Sequence, residues 1–159
     1  FNFIKKEEKI WRKKEKQILK EISNITKLKW EKKEVRCYMI GWGREFSDPL
    51  TIRIKDKTSK QFIDTLIHEL IHNIISQNNL KLKNYFNYLK KKFGKAQLLV
   101  NHIPLYAIHK HLYLKFFNEK RLEADIKRCQ KNPDYKKSWQ IIEKEGYKKI
   151  IKEITDRIR

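Results

Sequence analysis

The stretch TSKQFIDTLIHELIHNIISQ, Thr58 to Gln77, decides the fold. Its apolar residues Phe62, Ile63, Leu66, Ile67, Leu70, Ile71, Ile74 and Ile75 recur every three or four positions. At about 100° per residue they fill one broad arc of a helix. Gln61, Asp64, Thr65, His68, His72 and Ser76 occupy the other arc. Thr58, followed three residues later by Gln61, makes a capping box at the start, and Asn78-Asn79 closes the far end. These signals predict a single amphipathic helix.

At the centre of this helix stands His68-Glu69-Leu70-Ile71-His72, an H-E-x-x-H pattern. Two histidines four apart present their imidazoles to one side, where one zinc ion can sit about 2.0–2.1 Å from each. Glu69 lies beside them, placed to take a proton from a water that the metal activates. With five His and 13 Glu in the chain, chance would supply the pattern in about one of 80 such sequences. Both histidines fall off the apolar arc, so ordinary core packing does not account for them.

Thr65 to Ile74, TLIHELIHNI, resembles the extended motif of the zincin metallopeptidases, with uncharged flanks and an apolar residue two places after the second histidine. The resemblance implies a strand ahead of the helix, forming the rim of the cleft where an extended substrate pairs; Leu50 to Lys55 stands in that place. It covers about Thr51 to Asn73. A metzincin would continue with Gly and His three and six residues after His72, where this chain has Ile75 and Asn78. Its one Met, Met39, lies upstream, and no Asp or Glu occurs between Glu69 and Glu119 to serve as a gluzincin ligand. Because Asn73 to Asn101 contains no His, Cys, Asp or Glu, His102 is the first residue able to complete the site. His109, His111, Glu119, Glu123 and Asp125 are the further candidates, with His109 and the Glu119–Glu123 turn as the main alternatives and His111 reading as a surface histidine. Asn101 to Ala107, NHIPLYA, also resembles a motif of small uncharacterised archaeal and phage zincins. Tyr106 or Tyr113 could donate to an oxyanion, although aromatic packing is the plainer role for either.

Outward from the helix, Ile4, Trp11, Ile18, Ile22 and Ile25 form an apolar stripe that predicts one helix from Phe3 to Leu28. Alternation at Val35, Cys37 and Met39, and again at Leu50, Ile52 and Ile54, predicts two strands joined by a loop around Phe46 to Pro49. Downstream, helices are expected over Leu80–Phe93, His102–Phe117 and Glu119–Gln130. Asn101 would cap the second of these, with Pro104 in its first turn. A last helix, bent at Gly146, is expected from Asp134 to Ile158. Trp11, Trp30, Trp42 and Trp139 read as core or half-core residues.

The 159 residues fit one domain, and scarce Gly and Pro (four and three) favour a helical protein. The expected class is α+β, predominantly helical, with a short sheet on the central motif helix. A net charge of +20 raises nucleic acid as a partner, against a plain solubility role for the lysines. Cys37 and Cys129 read as buried thiols rather than a disulfide framework, which points to a reducing, cytoplasmic setting. Phe1 to Lys20 is charged throughout, unlike a signal peptide, and no apolar run reaches the length of a membrane span. The resemblance implies a zinc-dependent peptidase acting on protein or peptide, with Glu69 as general base and His68, His72 and His102 holding Zn2+. The alternatives are a protease of nucleic-acid-bound proteins, although the continuation typical of Spartan-like repair proteases is absent, and a non-catalytic zinc-binding module.

Overall fold

The computed structural model describes residues 2–158, which form a predominantly helical α+β fold. Among the described residues there are eight helices and three short strands. In chain order they are α1 (Asn2–Arg12), α2 (Glu15–Thr26), β1 (Tyr38–Ile40), β2 (Phe46–Ser47), β3 (Leu50–Arg53), α3 (Ser59–Gln77), α4 (Asn79–Phe93), α5 (Gln97–Phe116), α6 (Glu119–Cys129), α7 (Pro133–Glu145) and α8 (Tyr147–Asp156). No described helix is long and apolar enough to cross a membrane.

The motif helix forms as its sequence dictates. The Thr58 hydroxyl accepts from the Gln61 backbone N–H, and the Gln61 side chain accepts from the Thr58 N–H, closing the capping box. One side of α3 buries Phe62, Leu66 and Leu70 near the sheet and α1; Ile67, Ile71 and Ile74 have no exposure at all. The polar arc is not a solvated face. Of its six residues only Ser76 is exposed, and Asp64 is buried. That arc faces α5 and α6, the arrangement from which the site is built.

Helix α5 supplies the opposing surface. From Leu99 to Tyr113 it buries nearly every residue, with neighbours α3, α4, α6, α7 and α8 packed around it. Its start differs from the sequence expectation. The helix begins at Gln97, four residues before the proposed cap Asn101, and the residue at the cap position, Ala96, makes no side-chain capping bond. Pro104 therefore sits in the helix interior, where a proline removes one intrahelical hydrogen bond and costs about 3 kcal/mol. Burial of Val100, Ile103, Leu105, Ala107 and Ile108, each without exposure, outweighs that local penalty.

Other elements also depart from the sequence pattern. The predicted Phe3–Leu28 helix is two helices, broken at Lys13-Lys14, which lets α1 lie on α3 while α2 packs on α5 and α8. The C-terminal segment likewise divides into α7 and α8 at Gly146, whose φ of +86° favours glycine. A third strand, β2, lies within the segment expected to be a loop. It pairs antiparallel with β3, while β1 pairs parallel with β3, giving the order β1-β3-β2. Leu50–Arg53 is thus the centre of the sheet and not a free rim. The edge nearest the motif is β2, held to α3 by the Asn73 side-chain amide, which donates to the Ser47 carbonyl (2.6 Å). Trp42 is no core residue: it is 73% exposed, with the Lys55 ammonium over its ring.

Because the capping box satisfies two N-terminal donors of the helix that carries the site, Thr58→Ala should destabilise the protein by about 1 kcal/mol. Thr58→Ser should retain most of the parent stability. Urea unfolding checks both; identical midpoints for the parent and Thr58→Ala would contradict this role.

Candidate metal centre

Three histidines meet where α3 crosses α5. The ligand atoms offered by His68, His72 and His102 all lie within 4.8 Å of one another, close enough for one metal ion. The four-residue spacing stacks the first two on one side of α3, and their ring centroids are 5.0 Å apart. The His102 ring centroid lies 5.4 Å from that of His68 and 4.9 Å from that of His72.

His102 carries the sharpest chemical signature. Its Nδ1 is 2.8 Å from the Leu98 carbonyl oxygen, an atom that only accepts, so Nδ1 bears the proton. The Nε2 lone pair is consequently bare, yet Nε2 is buried and has no hydrogen-bond partner. A buried polar atom without a partner requires an explanation, and a metal ion supplies one. Protonation states agree with this reading. Burial, reinforced by the neighbouring rings, holds His68 well below the usual histidine range. Burial together with the charge on His102 lowers His72 to about 3. Burial also lowers His102, opposed by its bond to Leu98 and by Asp134. Neutral imidazoles are what a metal ion needs as ligands, so the donor set fits the group.

Glu69, next to His68 in sequence, is nearly buried. Burial first, and then the charge of Glu45, pushes its carboxyl up to about 7, with Lys57 pulling the other way. Lys57 and Glu45 are themselves paired at 3.1 Å.

The remaining sequence candidates divide clearly. His109 is buried, and its ring centroid lies 6.2 Å from that of His68, but it stacks on Tyr113 and stands outside the ligand cluster. Glu119 and Glu123 are exposed on α6, and His111 pairs with Glu21 at 2.7 Å. The Tyr106 hydroxyl donates to the Cys129 sulfur, and its ring stacks on Trp139. Tyr113 lies against His109 near Asp64 and Asp125. Neither hydroxyl is therefore aimed at the three-histidine cluster by its contacts. The Tyr106 ring borders the cluster, 5.8 Å from that of His68 and 5.3 Å from that of His102, and a second tyrosine, Tyr135 of α7, also lies against it. Its ring centroid is 4.4 Å from that of His102, and the charge of Glu69 helps to raise its phenol above the usual range, after burial and Cys129. Nothing in its sequence surroundings marks Tyr135; only the packing of α7 on α5 brings it here. Cys37 and Cys129 are free thiols and belong to no ligand cluster among the described residues.

Behind the histidines, Asp64 accepts from Arg121 (2.7 Å) and Arg128 (3.4 Å), and Arg128 also meets Asp125 at 2.5 Å. This network satisfies the buried carboxylates and anchors α6 to α3, one turn before His68.

A hollow of about 1080 Å³ lies between α1, α2 and the sheet and includes none of the three histidines. Another, of about 530 Å³, opens beside His72. Compared with known proteins, the chain matches no family model, no curated protein and no solved structure.

Two outcomes follow from this geometry. His102→Ala should lower metal affinity by more than about 100-fold, since loss of even an outer partner commonly costs 10–100-fold. His109→Ala should have a smaller effect, and equal metal affinity in the parent and His102→Ala would contradict the assignment. The second outcome concerns pH. The unfolded histidines titrate near 6.5, whereas the folded ones stay neutral to lower pH. Below 6.5 the unfolded chain thus binds protons that the folded chain refuses, and metal-free protein loses stability as pH falls towards about 5. Glu69 acts oppositely between 4.5 and about 7, but it is one group against four imidazoles. Urea midpoints of metal-free protein should therefore be lower at pH 5.5 than at pH 7; a higher midpoint at pH 5.5 would contradict neutral, buried histidines.

Proposed function

We propose that this protein is a zinc-dependent peptidase of the zincin type, with His68, His72 and His102 as metal ligands and Glu69 as the general base. The observation that carries the reading is the bare, buried Nε2 of His102 in a cluster with the two histidines that flank Glu69. Three histidines leave a fourth tetrahedral position open, the pattern of catalytic rather than structural zinc sites. A purely structural site has no use for an acid–base group between its ligands.

Bound zinc would supply a Lewis acid that polarises the scissile carbonyl and lowers the pKa of a water towards about 7. The chain's own residues supply the proton handling. Glu69, raised to about 7 by its surroundings, can accept a proton from the attacking water near neutral pH and then return it to the leaving amine. Water oxygen joins the carbonyl carbon, the carbon–nitrogen bond breaks, and the amine leaves protonated. Tyr135, beside His102, is our candidate donor to the carbonyl oxygen as negative charge develops on it. The aromatic contacts of His102 with Tyr106 and Tyr135, and its bond to Leu98, hold the third ligand in one orientation.

The net charge of +20 favours a second reading, in which the substrate is protein bound to nucleic acid. DNA binding at about 0.15 M salt, together with DNA-stimulated cleavage, would support it. Weak binding and unchanged cleavage would make the charge a solubility device.

Glu69→Gln removes a base without removing a ligand. It should retain about one zinc per chain and the parent circular-dichroism spectrum, while hydrolysis of a protein substrate falls by roughly 100-fold or more. Cleavage at near the parent rate would mean that Glu69 is not the base.

A further inference from the structure

The groove beside His72 differs in charge from the other hollow. It runs between the C-terminal half of α3, one face of α4 and the start of α5, with His72 and Ser76, Lys83 and Lys90, and Gln97 and Asn101 contributed by these elements in turn. Among the described residues, no carboxylate lines it. The hollow across α3, in contrast, mixes Glu7, Glu8, Glu15 and Glu34 with its cations. The cause lies in the sequence: from Leu70 to Asn118 there is no Asp or Glu, so neither α4 nor α5 carries an acidic group.

The lysines of this groove are also electrostatically unspent. Lys83 and Lys90 are seven residues apart and share a face of α4. Among the described residues neither meets a carboxylate, whereas Lys92 of the same helix pairs with Glu145 (3.3 Å) and lies near Glu153 (3.9 Å). Partly buried Ile75 and Phe86 give the groove an apolar lining beneath these cations. Two unpaired cations over apolar surface, in a trough that ends on a metal-site histidine, suit an acidic side chain with a methylene stem.

We infer that this groove is a substrate subsite that selects acidic residues, glutamate above all, with Lys83 and Lys90 as its specificity-determining groups. The inference rests on the peptidase reading of the adjoining centre and names its substrate class as acidic polypeptide. A nucleic-acid strand fits less well. The groove offers two cations and no exposed aromatic platform, whereas a tracked strand is held by a run of cations and stacked bases.

Binding of short labelled peptides to zinc-loaded Glu69→Gln protein tests the inference without turnover. Fluorescence anisotropy would compare a Glu-rich dodecapeptide, a Ser-rich one, a Lys-rich one and an oligothymidine of equal charge. The Glu-rich peptide should bind best, and its affinity should fall roughly tenfold or more when K83E and K90E are added together. Zinc content and circular dichroism should remain unchanged, since both lysines stand on the outer part of α4. If the reversed charges disturb folding, K83Q with K90Q should show a smaller loss in the same direction. Equal binding of the Glu-rich peptide before and after the lysine substitutions would overturn the assignment. So would binding of the oligothymidine alone, which would give the groove to nucleic acid. Digestion of a peptide library by the parent protein separates the two readings. Acidic-peptide binding that depends on the lysines, without cleavage of any peptide, would remove the peptidase reading and leave the groove assignment standing. Cleavage without enrichment of acidic residues near the cut would remove the groove assignment alone.

Discussion

The structure depends on the burial of a polar helix face. The arc of α3 that carries Asp64, His68 and His72 turns toward α5 and α6, with Asp64 buried and both histidines half-buried. Burying polar groups is unfavourable unless each finds a partner. The groups along this arc meet that demand in two ways. Asp64 takes two arginines as partners. The histidines stay uncharged instead: burial lowers their pKa values, and they gather around the bare nitrogen of His102. Of the buried polar atoms left without a partner, His109 Nδ1 among them, the Nε2 of His102 is the one that lies in a three-ligand cluster, and that cluster is the candidate site.

Helix α5 makes this arrangement possible. Its surface is apolar on almost every side, so it can serve as the central post around which α3, α4, α7 and α8 pack. Within that apolar surface His102 and His109 are the exceptions, one turn apart from Tyr106 and Tyr113 respectively. Tyr106 stacks on Trp139 and Tyr113 on His109, so the aromatic packing of α5 fixes both imidazoles while leaving only His102 within reach of the pair on α3. Around this centre the charge is asymmetric. The sheet side of α3 carries carboxylates, including Glu45 near Glu69, while the α4 side has none among the described residues.

Much of the site is legible in the sequence because its signals are local. The capping box, the period of α3 and the H-E-x-x-H spacing all lie within twenty residues, and a helix converts that spacing directly into a shared face. The interval from Asn73 to Asn101, free of His, Cys, Asp and Glu, makes His102 the first candidate for the third ligand but leaves His109, Glu119 and Glu123 open. What stays hidden is non-local. Asn101 has the chemistry of a cap, but tertiary burial of α5 extends the helix past it and tolerates Pro104 inside. The break between α1 and α2 follows from the different partners of the two halves, not from a Gly or Pro between them. His109 and His102 share a helix face by spacing, and only the crossing point of α3 and α5 separates ligand from neighbour. Tyr135 lies thirty-three residues from His102 and is invisible in the sequence for the same reason.

The proposed centre is tested most directly by the coordination sphere of the metal-loaded protein, read from its crystal structure. One zinc ion should be held by nitrogen atoms of His68, His72 and His102, with the bound nitrogen of His102 being Nε2, a fourth position not filled by protein, and Glu69 unligated beside it. A metal ligated by His109 in place of His102, by the carboxylate of Glu69, or by four protein groups would contradict the proposed centre.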